Sequence, residues 1–418
     1  MKLTRFAASL LIALPLLASC RSDESLKEPD VIDPMFRRYV SLGNSITAGF
    51  QSAGINDSTQ SRSYAVLLAA AMQTPFTRPS LQGRGCVPPF TNNVTQARVG
   101  GGNASTCDLR ATPTARPNNL AVPGARVEEL LNNFGTPVSA SNALTTFILG
   151  GKTQIERMQE AKPTFVTVWA GNNDVLGAFT NSSNPGNPAL ITPEAMFIAQ
   201  YDSVLDAIEA TGAKAALISV ANVTNTPFAS AGAIYYCLKN GGCPAPLPPQ
   251  NPVLGSIPTF TVNVNCAPPG GLQVLVPWTV GLTKVSTAIA GTPASIDCTV
   301  DNEVVTPSEL NGLITAITAF NNHIQAEATA RGWAYVDINS PLAALRANGT
   351  IPPFPDVAGA LVQPPTSVLF GPIFSLDGVH PSSTAHRLIA DSVASAINAH
   401  YGTSLPVPVC GTVSCPAP

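Results

Sequence analysis

YVSLGNSITAGF, residues Tyr39–Phe50, passes from strand composition to helix composition across Gly43 and Asn44. Tyr39-Val40-Ser41-Leu42 is a short β-type run, Gly43-Asn44 a tight turn, and Ser45 opens a segment with the character of a helix start. A serine at that junction stands clear of the sheet edge, and its own backbone N–H is one of the unpaired donors of the first helical turn. Taken alone, such a serine is an ordinary helix cap. Chemistry at Ser45 requires partners from distant parts of the chain.

Beyond this stretch the chain alternates between strand and helix patterns. Strands are expected near residues 39, 119, 166, 217 and 335. Asn118–Val122 is a short run ending at Pro123-Gly124, Thr164–Ala170 (TFVTVWA) is a buried run ending at Gly171, and Ala215–Val220 and Trp333–Ile338 follow. Between them the patterns predict helices over Ser61–Met72, from Ala125, and over Thr153–Ala161 and Pro193–Thr211. The last of these places Phe197, Tyr201, Leu205 and Ile208 on one face. Pro307–Arg331 opens with the capping box Thr306-Pro307-Ser308-Glu309. Pro381–His400 carries Leu388, Ile389, Val393, Ala396 and Ile397 as its expected buried face. Strands alternating with helices imply an α/β fold with a five-stranded parallel sheet covered on both faces.

The alternation lapses from Asn225 to about Val305, a stretch rich in Pro, Gly and Cys that is too long for one loop. It reads as an inserted cap or subdomain held by disulfides. Within it, the apolar run Leu272–Val280 with Trp278 reads as core of the insertion; the sharper alternative is a pocket lining.

Only 11% of the 418 residues are charged, well below the roughly 25% of an average soluble protein. With 39 prolines the composition suits an exported protein with long ordered loops. A net charge of −3 without a Lys/Arg cluster argues against nucleic acid as a partner. Lys2 and Arg5 precede an apolar run, Phe6–Ala18, too short to span a bilayer. That run ends in Leu17-Ala18-Ser19-Cys20, which resembles the bacterial lipobox. Residues 1–19 are then a lipoprotein signal peptide, Cys20 the lipidated residue, and residues 20–38 a polar tether from the membrane of the cell envelope.

Of the nine cysteines, setting Cys20 aside leaves an even number, which fits an oxidising compartment. Local spacing suggests Cys86–Cys107, Cys237–Cys243, Cys266–Cys298 and Cys410–Cys415, although eight cysteines allow 105 pairings. No CxxC pair is present and the four histidines are not spaced as ligands with the cysteines, so neither zinc nor another metal is expected.

In open α/β sheets, ligands bind beyond the carboxyl ends of the strands. Those ends here carry Gly43-Asn44-Ser45, Pro123-Gly124, Gly171-Asn172-Asn173-Asp174 and, before the last helix, Asp377-Gly378-Val379-His380. This is the chemistry of acyl transfer. Ser45 needs a base, which His380 can be, and Asp377 can hold the imidazole in the required tautomer. The backbone N–H groups of Ser45 and Gly124 and the Asn173 amide can receive an oxyanion.

The same four blocks resemble those of the SGNH, or GDSL, hydrolase family, in order: Gly43–Thr47, Asn119–Ala125, Gly171–Asp174 and Asp377–Pro381. Each block is short; their joint order along residues 39–400 carries the likeness. The resemblance implies a three-layer α/β/α fold with the flavodoxin-like strand order 2-1-3-4-5 and ester hydrolysis without a metal or cofactor. By motif position it implies Ser45 as nucleophile, His380 as base, Asp377 as its partner, and Ser45, Gly124 and Asn173 as oxyanion donors. Asn44 replaces the family's usual Asp before the nucleophile and is expected to order the turn in its place. The hydrolase domain would span residues 39–400, followed by a Cys/Pro-rich tail at 401–418. The substrate would be a lipid or other acyl ester, or an O-acetylated glycan, with the insertion deciding between them. Asp174, Asp337, His323 and His386 are expected to be structural. A competing reading is a surface lipoprotein that keeps the fold but only binds glycan or a partner protein.

Overall fold

A computed structural model of the chain describes residues 31–81, 83–108, 116–132, 143–357, 367–412 and 415. The lipobox with Cys20 and most of the expected tether lie outside the described residues. Four strands form the central sheet: β1, Tyr39–Gly43; β2, Phe165–Trp169; β3, Lys214–Ile218; and β4, Ala334–Val336. They run parallel in the order β1-β2-β3-β4, with Val40 beside Val166 and Ala216 between Thr167 and Ala334. Every residue of β1 and β2 is buried, as a parallel sheet covered on both faces requires.

Alternation along these strands splits the interior in two. Val40, Leu42, Val166, Val168 and Leu217 enter one apolar cluster, while Tyr39, Phe165, Trp169 and Ile218 enter another. The helices that cover the sheet or build the site are α1 (Ser45–Ala48), α2 (Tyr64–Ala71), α3 (Glu128–Leu131), α4 (Gln154–Ala161), α5 (Asn173–Phe179), α6 (Glu194–Glu209), α7 (Pro307–Ala330), α8 (Asn339–Ala347) and α9 (Ser383–Tyr401). Helices α6 and α7 bury Phe197, Tyr201, Phe320 and Ile324 in the first cluster; α2 and α9 bury Tyr64, Leu68, Val393 and Ile397 in the second. Each such side chain contributes about 1.5–3 kcal/mol by leaving water. Capping boxes at Thr153 and Thr306 start α4 and α7, and the Ser382 hydroxyl caps α9.

The fifth expected strand is reduced to a bridge. Residues 118–122 lie beside β1 opposite β2, with Ser41 N–H donating to Asn118 O (3.0 Å) and Leu120 N–H to Ser41 O (2.9 Å). Only Ser41 and Asn119 pair as a parallel bridge. Val122 N–H still reaches Gly43 O at 3.2 Å, but Gly43 gives its own N–H to the Gln154 side chain at 2.9 Å instead of to Leu120 O, so the ladder stays incomplete.

Helix α9 also departs from its expected face. Leu388 is 45% exposed. The buried stripe runs through Ala385, His386, Ala390, Val393, Ala394 and Ile397, and His386, a polar residue, occupies a position the apolar pattern skips.

Between β3 and α7 the chain builds small elements of its own. Ala229–Ala231 pairs antiparallel with Leu275–Pro277, and Phe260–Val262 pairs parallel with Ala294–Ile296. Tyr235, Phe260, Val276, Ile296, Cys266 and Cys298 share a separate apolar cluster. Disulfides join Cys86–Cys107, Cys237–Cys243, Cys266–Cys298 and Cys410–Cys415.

Candidate active site

The end of β1 is fixed by a buried amide. Gln154, the first residue of α4, accepts from Gly43 N–H and donates to Gly43 O, both at 2.9 Å. Gly43 has φ +151°, and a Cβ there would lie 2.5 Å from Trp169 O, so the turn has no room for a side chain. Asn44, fully buried, caps α1 by accepting from Ile46 N–H at 3.1 Å. Its amide also reaches Asn172 Oδ1 at 3.4 Å, tying the first block to the third. Asn44 thus orders the turn as expected of the residue in that place. Ser45 follows as the first residue of α1, 6% exposed.

The fourth block arrives on a turn held against α9. Ser375 N–H donates to His380 O at 2.9 Å, and Phe374 bridges Pro381. Asp377 Oδ1 accepts from the N–H groups of Val379 (2.9 Å) and His380 (2.8 Å) and from Ser375 Oγ (3.1 Å). Asp377 Oδ2 accepts from Ala53 N–H (2.6 Å) and lies 2.9 Å from His380 Nδ1. On the other side of the ring, His380 Nε2 lies 2.9 Å from Ser45 Oγ. The Phe50 ring packs on the imidazole with centroids 4.7 Å apart. Burial alone would push the Asp377 carboxyl up, but the adjacent His380 and the converging N–H groups outweigh it and hold it at about 2. A serine hydroxyl, an imidazole and an ionised carboxylate therefore form one continuous chain of hydrogen bonds.

Gly124 and Asn173 meet Ser45 and His380 along one cleft. Asn173 opens α5 and spends one amide N–H on Ala125 O at 2.8 Å, which leaves the other for a ligand. Asp174, fully buried, joins the same two segments: its carboxylate accepts from Val127 N–H (3.1 Å) and Thr192 Oγ1 (2.8 Å). Burial raises its pKa to about 6 against the pull of those donors and of Arg126.

Two clefts open from Ser45, Asn173, Leu176 and His380. The wider one, of about 450 Å³, runs past Gly124 and Phe50 to the Cys86–Cys107 disulfide. The narrower one, of about 110 Å³, runs between α8 and α9. Among the described residues, none of Leu272–Val280 lines either cleft; Val274 and Val276 pack inside the segment's own cluster and Trp278 against Phe370. His386 sits buried behind the site, accepting from Tyr64 N–H at 3.2 Å, and burial holds it neutral with a pKa near 3. His323 is paired with Asp202 at 2.6 Å. With Glu327 these form the group of described residues close enough to share an ion, but Glu327 is bonded to Arg331 and none of the three lines a cleft. Asp337 accepts from the N–H of Asn339, the first residue of α8, at 2.8 Å. The bracing groups Ala53, Ser375 and Gln154 carry no sequence signal, because a backbone N–H, a lone serine and a glutamine 111 residues from Gly43 look ordinary in one dimension.

The sequence profile of the family described as GDSL-like Lipase/Acylhydrolase matches residues 39–393. No curated protein matched the chain in sequence. Similar solved structures include an extracellular lipase from Streptomyces rimosus (15% identity, TM-score 0.36, 86% of this chain and 98% of that one). Others are an esterase from a Pseudoalteromonas species (10%, 0.33, 88% and 100%) and a variant of an acetylxylan esterase from Geobacillus stearothermophilus (9%, 0.34, 88% and 94%). Likeness that faint says nothing about substrate. The profile spans most of the chain and takes in all four strand-end blocks, from β1 to the turn before α9, and on that ground the chain belongs to the GDSL-like lipase/acylhydrolase family of ester hydrolases.

Proposed function

We propose that the protein hydrolyses carboxylic esters through an acyl-enzyme on Ser45. His380 Nε2 takes the Ser45 hydroxyl proton as Oγ bonds to the ester carbonyl carbon. The carbonyl oxygen, now an anion, is received by the N–H groups of Ser45 and Gly124 and by the free N–H of the Asn173 amide. The carbon–alkoxy bond then breaks and His380 returns the proton to the departing alcohol. Water attacks the acyl-enzyme with His380 again as base, the acid leaves, and Ser45 is restored. Asp377 stays ionised, fixes the Nδ1–H tautomer and offsets the positive charge on the ring. No residue in this cycle calls for a metal or cofactor. The observation that carries the reading is the unbroken run from Ser45 Oγ through His380 to Asp377 Oδ2, with both links at 2.9 Å.

Hydrolysis of p-nitrophenyl acetate by the wild type, lost by about 10³-fold or more in Ser45→Ala, is the expected result, together with fluorophosphonate labelling of Ser45. A wild type inert to every ester and to the label would instead favour the binding-only lipoprotein. We further propose, from the lipobox sequence alone, that Cys20 carries a lipid anchor to the bacterial envelope. Cys20→Ala should release the protein from the membrane fraction.

A further inference from the structure

The narrow cleft between α8 and α9 has a composition that selects its occupant. Its lining holds no Asp, Glu, Lys or Arg. Beyond the group around Ser45 the walls are mostly aliphatic or aromatic, with Leu342 and Leu345 from α8, Leu388 and Ile389 from α9, and Phe374 from the turn before it; the Thr226 and Ser392 hydroxyls donate to backbone carbonyls. A sugar would need a ring of polar partners to replace its water, and these walls offer very few. Leu388 bears on the same point. It is a large apolar side chain, 45% exposed, on a helix whose buried stripe lies elsewhere. It lines this cleft.

From this lining we infer that the cleft between α8 and α9 binds an unbranched acyl chain of the ester, and that Leu345 and Leu388 set the chain length accepted. The inference rests on the reading of Ser45 as nucleophile. The wider cleft, past Gly124 and the Cys86–Cys107 disulfide, takes the alcohol. An ester carbonyl on Ser45 sends its two arms apart, and the two clefts diverge from the same four residues. The slot with the apolar walls receives the alkyl arm. Each methylene that leaves water in such a slot raises kcat/KM by about four-fold.

The test varies one arm of the ester at a time, below micellar concentrations. With p-nitrophenol as the alcohol, kcat/KM should rise from acetate through butyrate to octanoate by at least about ten-fold. With acetate as the acid, lengthening a straight-chain alcohol should change it far less. Leu345→Trp, which fills the slot, and Leu388→Asp, which charges its mouth, should each lower the octanoate-to-acetate ratio by about ten-fold or more. Leu345 is half-buried and Leu388 exposed, so both variants should fold, and thermal melting checks that they do. Rates of inactivation by short- and long-alkyl phosphonates give a second readout without turnover. A flat or acetate-preferring profile, a length dependence confined to the alcohol, or an unchanged ratio in both folded variants overturns the inference and leaves the esterase reading standing. Failure of every ester and of Ser45 labelling brings down both.

Discussion

Five donors surround the Asp377 carboxylate: the backbone N–H groups of Ala53, Val379 and His380, the Ser375 hydroxyl and His380 Nδ1. They set its charge and, through His380, the geometry at Ser45. Asp377→Asn keeps the size but presents an amide N–H to donors, so the imidazole loses its orienting acceptor. Turnover should fall by about 10³–10⁴-fold, as it does when the tautomer of a catalytic histidine is lost. The same residue gives a pH signature in stability. Its folded pKa of about 2 lies below the ordinary 3.8. The carboxylate therefore adds stability above the unfolded value, and that contribution is lost as pH falls through the folded one. Denaturant unfolding should show wild type ahead of Asp377→Asn by on the order of 2–3 kcal/mol at pH 7, with the gap shrinking between pH 4 and pH 2. A gap independent of pH would mean that the carboxylate's charge does not stabilise the turn.

At the scale of elements, the two proposed oxyanion donors Gly124 and Asn173 come from separate pieces, the turn at Gly124 and the start of α5, and Asp174 spans them. In Asp174→Asn one side-chain oxygen remains to accept, so either Val127 N–H or Thr192 Oγ1 faces an amide N–H instead. The expected result is a fall in kcat of roughly ten-fold with KM little changed, as for donors displaced at a transition-state oxygen. Burial raises Asp174 to about 6, so its contribution to stability is present at low pH and is lost as pH rises through 6. The stability deficit of Asp174→Asn should thus be larger at pH 5 than at pH 8. Equal deficits would mean that the buried carboxyl does not titrate there. Sequence reading located this residue but not its reach, since Val127 and Thr192 lie in segments joined only by folding. Elements with local causes were legible: the capping box at Thr306, and strands β1 and β2 with their β-rich runs. Residues 118–122 misled because their strand-like composition says nothing of the Gln154 side chain that takes the Gly43 N–H from the ladder.

For the whole molecule, Ser45, Gly124, Asn173, Asp377 and His380 were legible because each belongs to a block at a strand end of one sheet. Access to Ser45 was not. The aperiodic segment after β3 looks from its Pro, Gly and Cys content like the part that governs substrate entry. Yet among the described residues from 225 to 305 the clefts receive only Thr226, at the segment's start. The walls of the smaller cleft come largely from α8, which the sequence reading did not single out, and from α9, whose Leu388 and Ile389 it placed on a buried face. Trp278 of the segment packs on Phe370, which lies against Gly378 in the loop carrying Asp377, while Cys266 and Cys298 lie in the segment's own cluster. Stability and catalysis should therefore separate here. The Cys266–Cys298 bridge spans 32 residues, and removing such a loop closure costs up to about 3–4 kcal/mol. Cys266→Ala with Cys298→Ala should melt well below wild type under non-reducing conditions. Below that melting temperature it should hydrolyse p-nitrophenyl acetate within about two-fold of the wild-type kcat/KM. A folded double variant that loses ten-fold or more in activity would show that the segment, through Trp278 and Phe370, positions Asp377 after all.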